Sequence, residues 1–421
     1  MRRRVIGCVL LLASAGALLT GFAPVALGDT PSAAFAPAAK AAITRQLEQA
    51  VQRGDTPGVV ALVTDKNGTI YEATAGKLDA SKSAPMPADA IFNIASMTKP
   101  VTSVAIMMLL EQGKLGLDDP VSKYLSGFDK LQVITRFNEA DGTYESKPAT
   151  KVMTLRHLLT HTSGIGYAFS SPVLARLQQG TTKSEWEFPL LHEPGEKWTY
   201  GASTRVLGMI VEKLTGQPLE AYYQQHIFKP LGMVDTSFAV PAGKQSRVAT
   251  VHLRADGAIQ VQTGTLPPTT APVPSRGDGG LYSTAKDYGI FIRMLLNGGK
   301  LGSARILSER SVKLMGENHI GAIFVETQPV GSLPPRTKPF PLGAGSDKFG
   351  LGFQIAAQSA DAATYRRPGS LSWAGIFNTE FWIDPQQQIG GVLLMQILPF
   401  YDDGAIRTLR EFEAAVYRGV R

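Results

Sequence analysis

Ser96 and Lys99 are the residues of this 421-residue chain whose type and spacing most clearly suggest chemistry. They stand three positions apart in Ile94-Ala95-Ser96-Met97-Thr98-Lys99-Pro100, directly before a strongly apolar segment. On a helix this spacing places both side chains on one face. The free N–H groups at a helix start suit an attacking oxygen and the oxyanion it produces. A lysine desolvated against an apolar helix favours its neutral amine, which can accept the serine proton.

Other reactive groups are poorly supported. The single cysteine, Cys8, lies in the N-terminal apolar segment, and no G-x-S-x-G sequence occurs. His157 and His161 are four residues apart, but no glutamate adjoins them and no third ligand is apparent, so we predict neither a metal site nor a cofactor. Because S-x-x-K also arises by chance in a long chain, the pair needs support from elsewhere in the sequence.

That support comes from further segments in the same order and spacing as in a known family. The segment Ser96–Pro100 resembles the first box of the serine β-lactamase and penicillin-binding-protein superfamily, in its class C-like branch, and is most similar to the family VIII carboxylesterases. The resemblance covers roughly residues 40 to 415. The other matching segments are Thr154–Gly164, Pro194-Gly195 with Trp198-Thr199-Tyr200, Pro230–Met233, Gly279–Thr284 and Leu371–Ile376.

The resemblance implies a role for each matching residue. Ser96 would be the acylated nucleophile, Lys99 its proton acceptor, and Tyr200 the phenol that passes protons to the leaving group and activates water. We expect an ammonium beside Tyr200 to favour the phenolate. The backbone N–H groups of Ser96 and Ile376 would form the oxyanion hole.

Two positions depart from the pattern of the lactamases. The usual Y-x-N reads Tyr200-Gly201-Ala202, and the usual K-T-G reads Trp373-Ala374-Gly375. Ala202 cannot donate to a substrate amide, and Trp373 removes a cation that would pair with a carboxylate. Gly375 would allow close backbone approach. Beyond the boxes, we expect two aromatic residues, Tyr167 and Phe169, to line the wall of the substrate pocket.

The elements that position these residues are predicted from periodicity. A helix is expected at 37–53, strands at 59–64, 69–75, 379–384 and 389–396, and a last helix at 404–417. Further helices are expected to start near Val101, Val206 and Ala285, and loops at 130–150 and 323–347. The sequence thus predicts an α/β (α+β) fold in which both termini build one antiparallel sheet flanked by helices, with a mostly helical insertion at roughly 115–275.

Residues 1–28 have the pattern of a secretory signal peptide. Three arginines precede an apolar run, and Ala26-Leu27-Gly28 offers a cleavage site before Asp29. We interpret 29–35 as a linker and 36–421 as the catalytic domain. Cleavage removes three of 42 basic residues and no acid, so the net charge falls from +7 to +4. With no basic run, no nucleic-acid partner is predicted, and no second apolar stretch is long enough for a membrane span.

The sequence therefore predicts an exported, periplasmic or secreted serine hydrolase that cleaves small carboxylic esters through an acyl-enzyme on Ser96. One alternative is a β-lactamase or D-amino-acid peptidase acting on cell-wall-type amides. A second is a non-catalytic binding protein that kept the fold. Ala202 and Trp373 argue against the first alternative, and the presence of all three catalytic side chains argues against the second.

Overall fold

A seven-stranded antiparallel sheet forms the centre of the fold, in the order β11-β12-β13-β14-β15-β1-β2. The computed structural model describes residues 35–420 apart from 263, 265, 271–275, 332–335 and 358–365. The predicted signal peptide, and the linker except Phe35, lie outside the described residues. The strands are β1 Gly58–Asp65, β2 Thr69–Gly76, β3 Phe92–Asn93, β4 Gln132–Phe137, β5 Tyr144–Pro148, β6 His252–Ala255, β7 Ala258–Val261, β8 Tyr282–Ser283, β9 Lys300–Leu301, β10 Ala304–Arg305, β11 Lys348–Phe349, β12 Gln354–Ile355, β13 Leu371–Gly375, β14 Thr379–Asp384, β15 Ile389–Leu394 and β16 Ile397–Leu398.

Helices cover both faces of this sheet. The α-helices of the described residues are α1 Pro37–Gln52, α2 Thr98–Glu111, α3 Leu155–Leu159, α4 Pro172–Leu177, α5 Ser203–Thr215, α6 Leu219–Tyr223, α7 Lys229–Leu231, α8 Ala285–Leu296, α9 Glu309–Met315 and α10 Asp403–Gly419.

The two ends of the chain meet in the sheet, as the sequence predicts. Strand β1 pairs with both β2 and β15, and every residue of β1 is buried. Helices α1 and α10 cover one face through Leu47, Leu409 and Phe412, which pack with Trp382 of β14. The α/β architecture with a sheet built from both termini is confirmed.

Helix α2 runs through the interior on the opposite side. Ten consecutive residues from Thr98 to Met107 are buried, so the helix is enclosed on all sides. The predicted helices α5 and α8 are also present, with Gly216 in the left-handed conformation after α5 and Thr284 accepting from the Asp287 N–H to cap α8.

The segment 130–150 differs from its predicted loop. Strands β4 and β5 form a hairpin there. The prediction failed because all of β5 is exposed and only one residue of β4 is buried, so no apolar alternation marks them in the sequence. The region 115–275 contains α3 to α7 together with this hairpin and a second one, β6–β7. Within the described residues no helix is long and apolar enough to cross a membrane.

Candidate active site

A strained turn presents Ser96 at the start of α2. Ala95, immediately before it, has a φ of 43°, a conformation that residues with a Cβ rarely adopt. The side-chain oxygen of Asn93 accepts a 3.0 Å hydrogen bond from the Ala95 N–H and so holds the turn. Such strain costs about 1–3 kcal/mol and persists only where the surrounding structure imposes it. Here the turn holds the half-buried Ser96 just before the first residue of α2.

Gly375 permits the approach of β13 to this turn. A Cβ on Gly375 would lie 2.4 Å from the carbonyl oxygen of Ile94 and 2.3 Å from Oγ1 of Thr379. The close approach seen at Gly375 is thus to the segment that carries Ser96, and its expected role toward the substrate stays a prediction. Ile376, the next residue, lines the same narrow pocket as Ser96.

Lys99 lies beneath Ser96 and is only 2% exposed. Its Nζ is 3.2 Å from Oγ of Ser96, 3.2 Å from the hydroxyl of Tyr167 and 2.8 Å from the backbone oxygen of Asp278. The Tyr167 hydroxyl donates its own proton to the Asp278 carboxylate, so its oxygen can accept from Lys99. A neutral amine has two N–H groups and one lone pair. If the Asp278 and Tyr167 oxygens take the two N–H groups, the lone pair faces Ser96.

The electrostatics favour that neutral amine. Burial lowers the pKa of Lys99 from its ordinary value of 10.5 to about 7. Asp278 opposes this shift, whereas Arg205 and Arg276 add to it. Arg205 also binds the Asp278 carboxylate, with Nε 2.7 Å from Oδ1, and so partly neutralises it. A large fraction of Lys99 is thus unprotonated near neutral pH.

Tyr200 precedes α5 and faces the same pocket. Its expected phenolate is wrong: burial raises the pKa of Tyr200, and this outweighs the opposing effects of Ser96 and Trp373. Lys99 is not among the groups that shift this pKa, and its Nζ lies 4.6 Å from the centre of the Tyr200 ring. The raised pKa favours the neutral phenol, a form that can relay a proton.

An aromatic cluster supports Tyr200. The rings of His161 and Trp373 lie 4.9 Å from it, centre to centre. The indole N–H of Trp373 forms no hydrogen bond of normal geometry with any described residue. Trp373 nevertheless lies near the Tyr200 hydroxyl and lowers the pKa of that phenol. Burial holds the pKa of His161 well below its ordinary value, so the imidazole is neutral and serves as packing. The wall facing the serine is apolar.

The predicted pocket residues divide into two groups. A narrow pocket of about 10 Å³ is lined by Ser96, Tyr200, Phe169, Trp373 and Ile376, together with Ala374, Phe340 and Phe400. Tyr167, expected to line the pocket wall, instead turns its hydroxyl to Lys99.

His157 caps α3 through Thr154. Across the described residues, no group of three or more His, Cys, Asp or Glu is placed to hold a metal ion.

Sequence reasoning missed Asp278 and Arg205. Asp278 lies 179 positions from Lys99 in the chain, so no local spacing links them. A signal was available, because Asp278 is an acid within Gly277-Asp278-Gly279-Gly280, immediately before the matching segment Gly279–Thr284. An acid inside a glycine-rich turn near a predicted lysine base is a candidate charge partner.

These features bring Ser96, Lys99 and Tyr200 together at one pocket beside a helix-flanked antiparallel sheet. The chain belongs to the beta-lactamase family, whose model matches residues 43–416. It is 29% identical over 407 residues to an ML-236A carboxylate methylbutanoyltransferase of Penicillium citrinum, covering 89% of this chain and 93% of that protein.

Two solved structures are similar over most of their length. The simvastatin synthase LovD from Aspergillus terreus has a TM-score of 0.76 and 26% identity, over 91% of this chain and 98% of LovD. EstCE1, described as a hydrolase with promiscuous acyltransferase activity, has a TM-score of 0.70 and 26% identity, over 90% of this chain and all of EstCE1. The chain is a β-lactamase-fold enzyme of the serine hydrolase type.

Proposed function

We propose that this protein cleaves carboxylic esters through a covalent acyl-enzyme on Ser96, with water as the usual acceptor. The observation that carries the proposal is the contact of Ser96 Oγ with Lys99 Nζ at 3.2 Å, with the lysine pKa near 7. This pair supplies a nucleophile and a base matched to neutral pH.

Acylation begins when Ser96 Oγ attacks the ester carbonyl carbon and its proton moves to Nζ of Lys99. The carbonyl oxygen becomes an oxyanion, which accepts hydrogen bonds from the backbone N–H groups of Ser96 and Ile376. When the C–O bond breaks, the leaving alkoxide receives a proton through the Tyr200 hydroxyl, which is replenished from Lys99. The alcohol departs and the acyl group remains on Ser96.

Deacylation uses the same groups in reverse. Water gives a proton to the neutral Lys99 as its oxygen attacks the acyl carbon, and the proton returns to Ser96 Oγ when the acid leaves. Because Tyr200 is a neutral phenol, Lys99 is the base in both half-reactions. This assignment differs from the sequence prediction, which gave the activation of water to Tyr200.

Trp373 and Ala202 favour esters over β-lactams. Trp373 is 6% exposed and presents an indole where the lactamases present a lysine, so a substrate carboxylate finds no cation there. Ala202 is fully buried and offers no side-chain amide. Neutral acyl and alcohol groups fit the resulting apolar walls by dispersion and burial.

Acyl transfer to an alcohol is the second candidate. It is favoured by the similarity to the methylbutanoyltransferase and to EstCE1. Transfer requires the same acyl-enzyme and differs only in whether an alcohol replaces water as the attacking group. The ratio of transfer product to free acid, measured with increasing alcohol, separates the two outcomes.

A fluorophosphonate probe and a panel of p-nitrophenyl esters, with nitrocefin alongside, test the proposal. The parent should label at Ser96 and hydrolyse short to medium esters, with kcat/KM for nitrocefin lower by several orders of magnitude. Ser96→Ala should lose labelling and turnover. Turnover retained by folded Ser96→Ala would refute the mechanism. Equal efficiency on nitrocefin would support a lactamase, and no labelling of the parent would support a binding protein.

We also propose that the protein is exported and cleaved before Asp29. The support is the basic and apolar pattern of residues 1–28. Mass spectrometry of the protein recovered outside the cytoplasm of a producing bacterium should give an N-terminus at Asp29. Recovery of the intact chain inside the cell would contradict the prediction.

A further inference from the structure

A glycine-rich segment, 277–281, carries Asp278 into the space between α2 and α5. On one side, the hydroxyl of Thr102 in α2 donates to the backbone oxygen of Gly277. On the other side, a Cβ on Gly277 would lie 2.7 Å from a backbone oxygen of α5, so the two backbones are in close contact. These contacts hold the segment in place without using the Asp278 carboxylate. The carboxylate therefore calls for an explanation of its own.

The Asp278 carboxylate is 4% exposed and accepts a hydrogen bond at each oxygen. Oδ1 accepts from Nε of Arg205 at 2.7 Å, and Oδ2 accepts from the hydroxyl of Tyr167. Burial opposes ionisation, but Lys99 and Arg205 outweigh it and hold the pKa of Asp278 below its ordinary value. Burial and Asp278 hold the pKa of Tyr167 well above its ordinary value, so the phenol keeps its proton. Because an ionised carboxylate only accepts, that proton must point to Asp278.

The direction of the Tyr167 proton decides what Lys99 meets. With the proton on the Asp278 side, the Tyr167 oxygen presents a lone pair to Nζ of Lys99 at 3.2 Å. The backbone oxygen of Asp278 is a second acceptor, at 2.8 Å. The two acceptors match the two N–H groups of a neutral amine, and its lone pair is left for Ser96. A reversed Tyr167 hydroxyl would donate to that lone pair and compete with Ser96.

The Asp278 carboxylate also acts on Lys99 through its charge. The titratable and charged groups that face Lys99 come from several elements: Asp278, Arg276, Arg205, Tyr167, Tyr200 and His161. Burial lowers the pKa of Lys99, Asp278 opposes that shift, and the two arginines add to it. Loss of the carboxylate charge would therefore lower the pKa of Lys99 further.

We propose that Asp278 is a positioning residue for the acylation step. Its carboxylate, held by Arg205, orients the hydroxyl of Tyr167 so that this hydroxyl accepts from Lys99 and cannot donate to it. The lone pair of Lys99 is thereby kept for the proton of Ser96. The inference rests on the proposed function and deepens it by naming the group that orients the base. An ion pair with a structural role only would change stability and leave the pH profile of the reaction unaltered.

Asp278→Asn is a nearly isosteric change that tests this role. Because Arg205 only donates, the amide oxygen takes the place of Oδ1 and the amide NH₂ faces Tyr167. The Tyr167 oxygen then accepts from the amide, and its proton turns to Lys99. The high-pH plateau of kcat/KM should fall roughly tenfold, since the lone pair is diverted from Ser96. The midpoint of the profile should move roughly one pH unit lower, since an anion near the lysine is lost.

The assay uses p-nitrophenyl acetate between pH 5 and 9, because its leaving group departs as a stable anion and kcat/KM then reports acylation. The rate of labelling by the fluorophosphonate probe is measured over the same range. Tyr167→Phe removes the hydroxyl and keeps the ring stacked on Phe169. In that background Asp278→Asn has no hydroxyl to reverse. It should still move the midpoint but lower the plateau by less than about twofold, which is a non-additive result.

Asp384→Asn is a matched control. Asp384 is fully buried and also accepts from a tyrosine hydroxyl, that of Tyr417, at 2.9 Å. It ends β14, whereas Thr379 at the start of that strand pairs with Gly375 beside the site. Asp384→Asn should keep the parental midpoint and plateau. Circular dichroism and urea unfolding establish that each variant is folded.

Asp278→Asn should fold, because Arg205 keeps 23% of its side chain exposed and is not left as a fully buried, unpaired cation. A folded Asp278→Asn with the parental plateau overturns the inference. A plateau loss of the same size in the Tyr167→Phe background also overturns it. If Asp278→Asn does not fold, Tyr167→Phe alone decides: a lowered plateau supports the inference and a parental plateau overturns it.

Failure of the proposed function gives a different pattern. Ester hydrolysis by the parent, with an unaltered profile in Asp278→Asn, leaves the esterase supported and removes only the role of Asp278. If the parent hydrolyses no ester, the probe-labelling profile takes the place of kcat/KM. If the parent is not labelled either, the carbon-13 resonance of Lys99 Cε, assigned by its absence from Lys99→Met, is titrated instead. A lower midpoint in Asp278→Asn then supports the coupling of Asp278 to Lys99, and an unchanged or higher midpoint overturns it.

Discussion

Replacement of Lys99 by methionine should abolish turnover and at the same time stabilise the fold, most at neutral pH. The side chains have similar length, but methionine carries no proton to lose. Folding lowers the pKa of Lys99 from 10.5 to about 7, so the folded state binds fewer protons than the unfolded chain at intermediate pH. The buried amine therefore destabilises the protein fully below pH 7, and this cost disappears as the pH rises through 10.5.

The size of the expected stabilisation follows from the shift in the pKa of Lys99 on folding. Each unit of pKa is worth about 1.4 kcal/mol, so the buried lysine costs about 4 kcal/mol at pH 7 and about 2 kcal/mol at pH 9. Lys99→Met also loses hydrogen bonds to Ser96, Tyr167 and Asp278, which offsets part of the gain. That loss changes little with pH, so the difference between the two pH values isolates the titration. The stabilisation should be about 2 kcal/mol larger at pH 7 than at pH 9.

Urea unfolding of parent and variant at both pH values measures this difference. Lys114→Met is a matched control, because Lys114 is exposed just beyond the end of α2 and its replacement should give the same change at either pH. If Lys99→Met changes stability equally at pH 7 and pH 9, Lys99 is not neutralised by burial. The assignment of Lys99 as the base would then fail.

Four further predictions concern the same site. The kcat/KM for p-nitrophenyl butyrate should rise with pH to a plateau with a midpoint near 7, since only neutral Lys99 accepts the serine proton; a profile flat from pH 5 to 9 would contradict this. Tyr200→Phe should keep its fold by circular dichroism and lower kcat roughly 10²- to 10⁴-fold; a parental rate would make Tyr200 a wall residue only. Gly375→Ala should lower the free energy of unfolding by about 1–3 kcal/mol and remove most activity, because the added Cβ would lie 2.4 Å from the Ile94 oxygen. An unfolding curve that matches the parent would refute that contact. Trp373→Lys should lower esterase activity with at most a slight gain on nitrocefin, and a large gain would mean that position 373 alone sets the substrate class.

The sheet was predictable because its signals are local. Strands β1, β2, β14 and β15 are apolar runs bounded by turn residues, and their pairing follows from two hairpins. In the turn between β1 and β2, the Asp65 side chain accepts from the Asn67 and Gly68 N–H groups, as that sequence predicts. The exposed β4–β5 hairpin gave no such pattern and was missed.

The proximity of Ser96, Lys99 and Tyr200 was predictable from the sequence, but their electrostatics were not. The types and order of Ser96, Lys99 and Tyr200 suggest a nucleophile, a base and a proton relay. The burial of Tyr200 depends on tertiary packing, and burial is the main cause that raises its pKa, against the expected direction. Asp278 joins the site from a remote segment, so spacing along the chain cannot reveal it.

Three features that lower the stability of the folded protein support catalysis over binding alone. Ala95 is held at a positive φ, Lys99 is buried with a lowered pKa, and the Trp373 indole N–H has no hydrogen bond to a described residue. Each of these features reduces stability by a kilocalorie or more, by general estimates. A chain selected only for a stable scaffold gains from losing each of them, because apolar or glycine substitutes are available at these positions. All three lie at or next to Ser96, where a nucleophile needs a fixed approach, a neutral base and an apolar wall. Their clustering around Ser96 is a structural argument that its hydroxyl reacts.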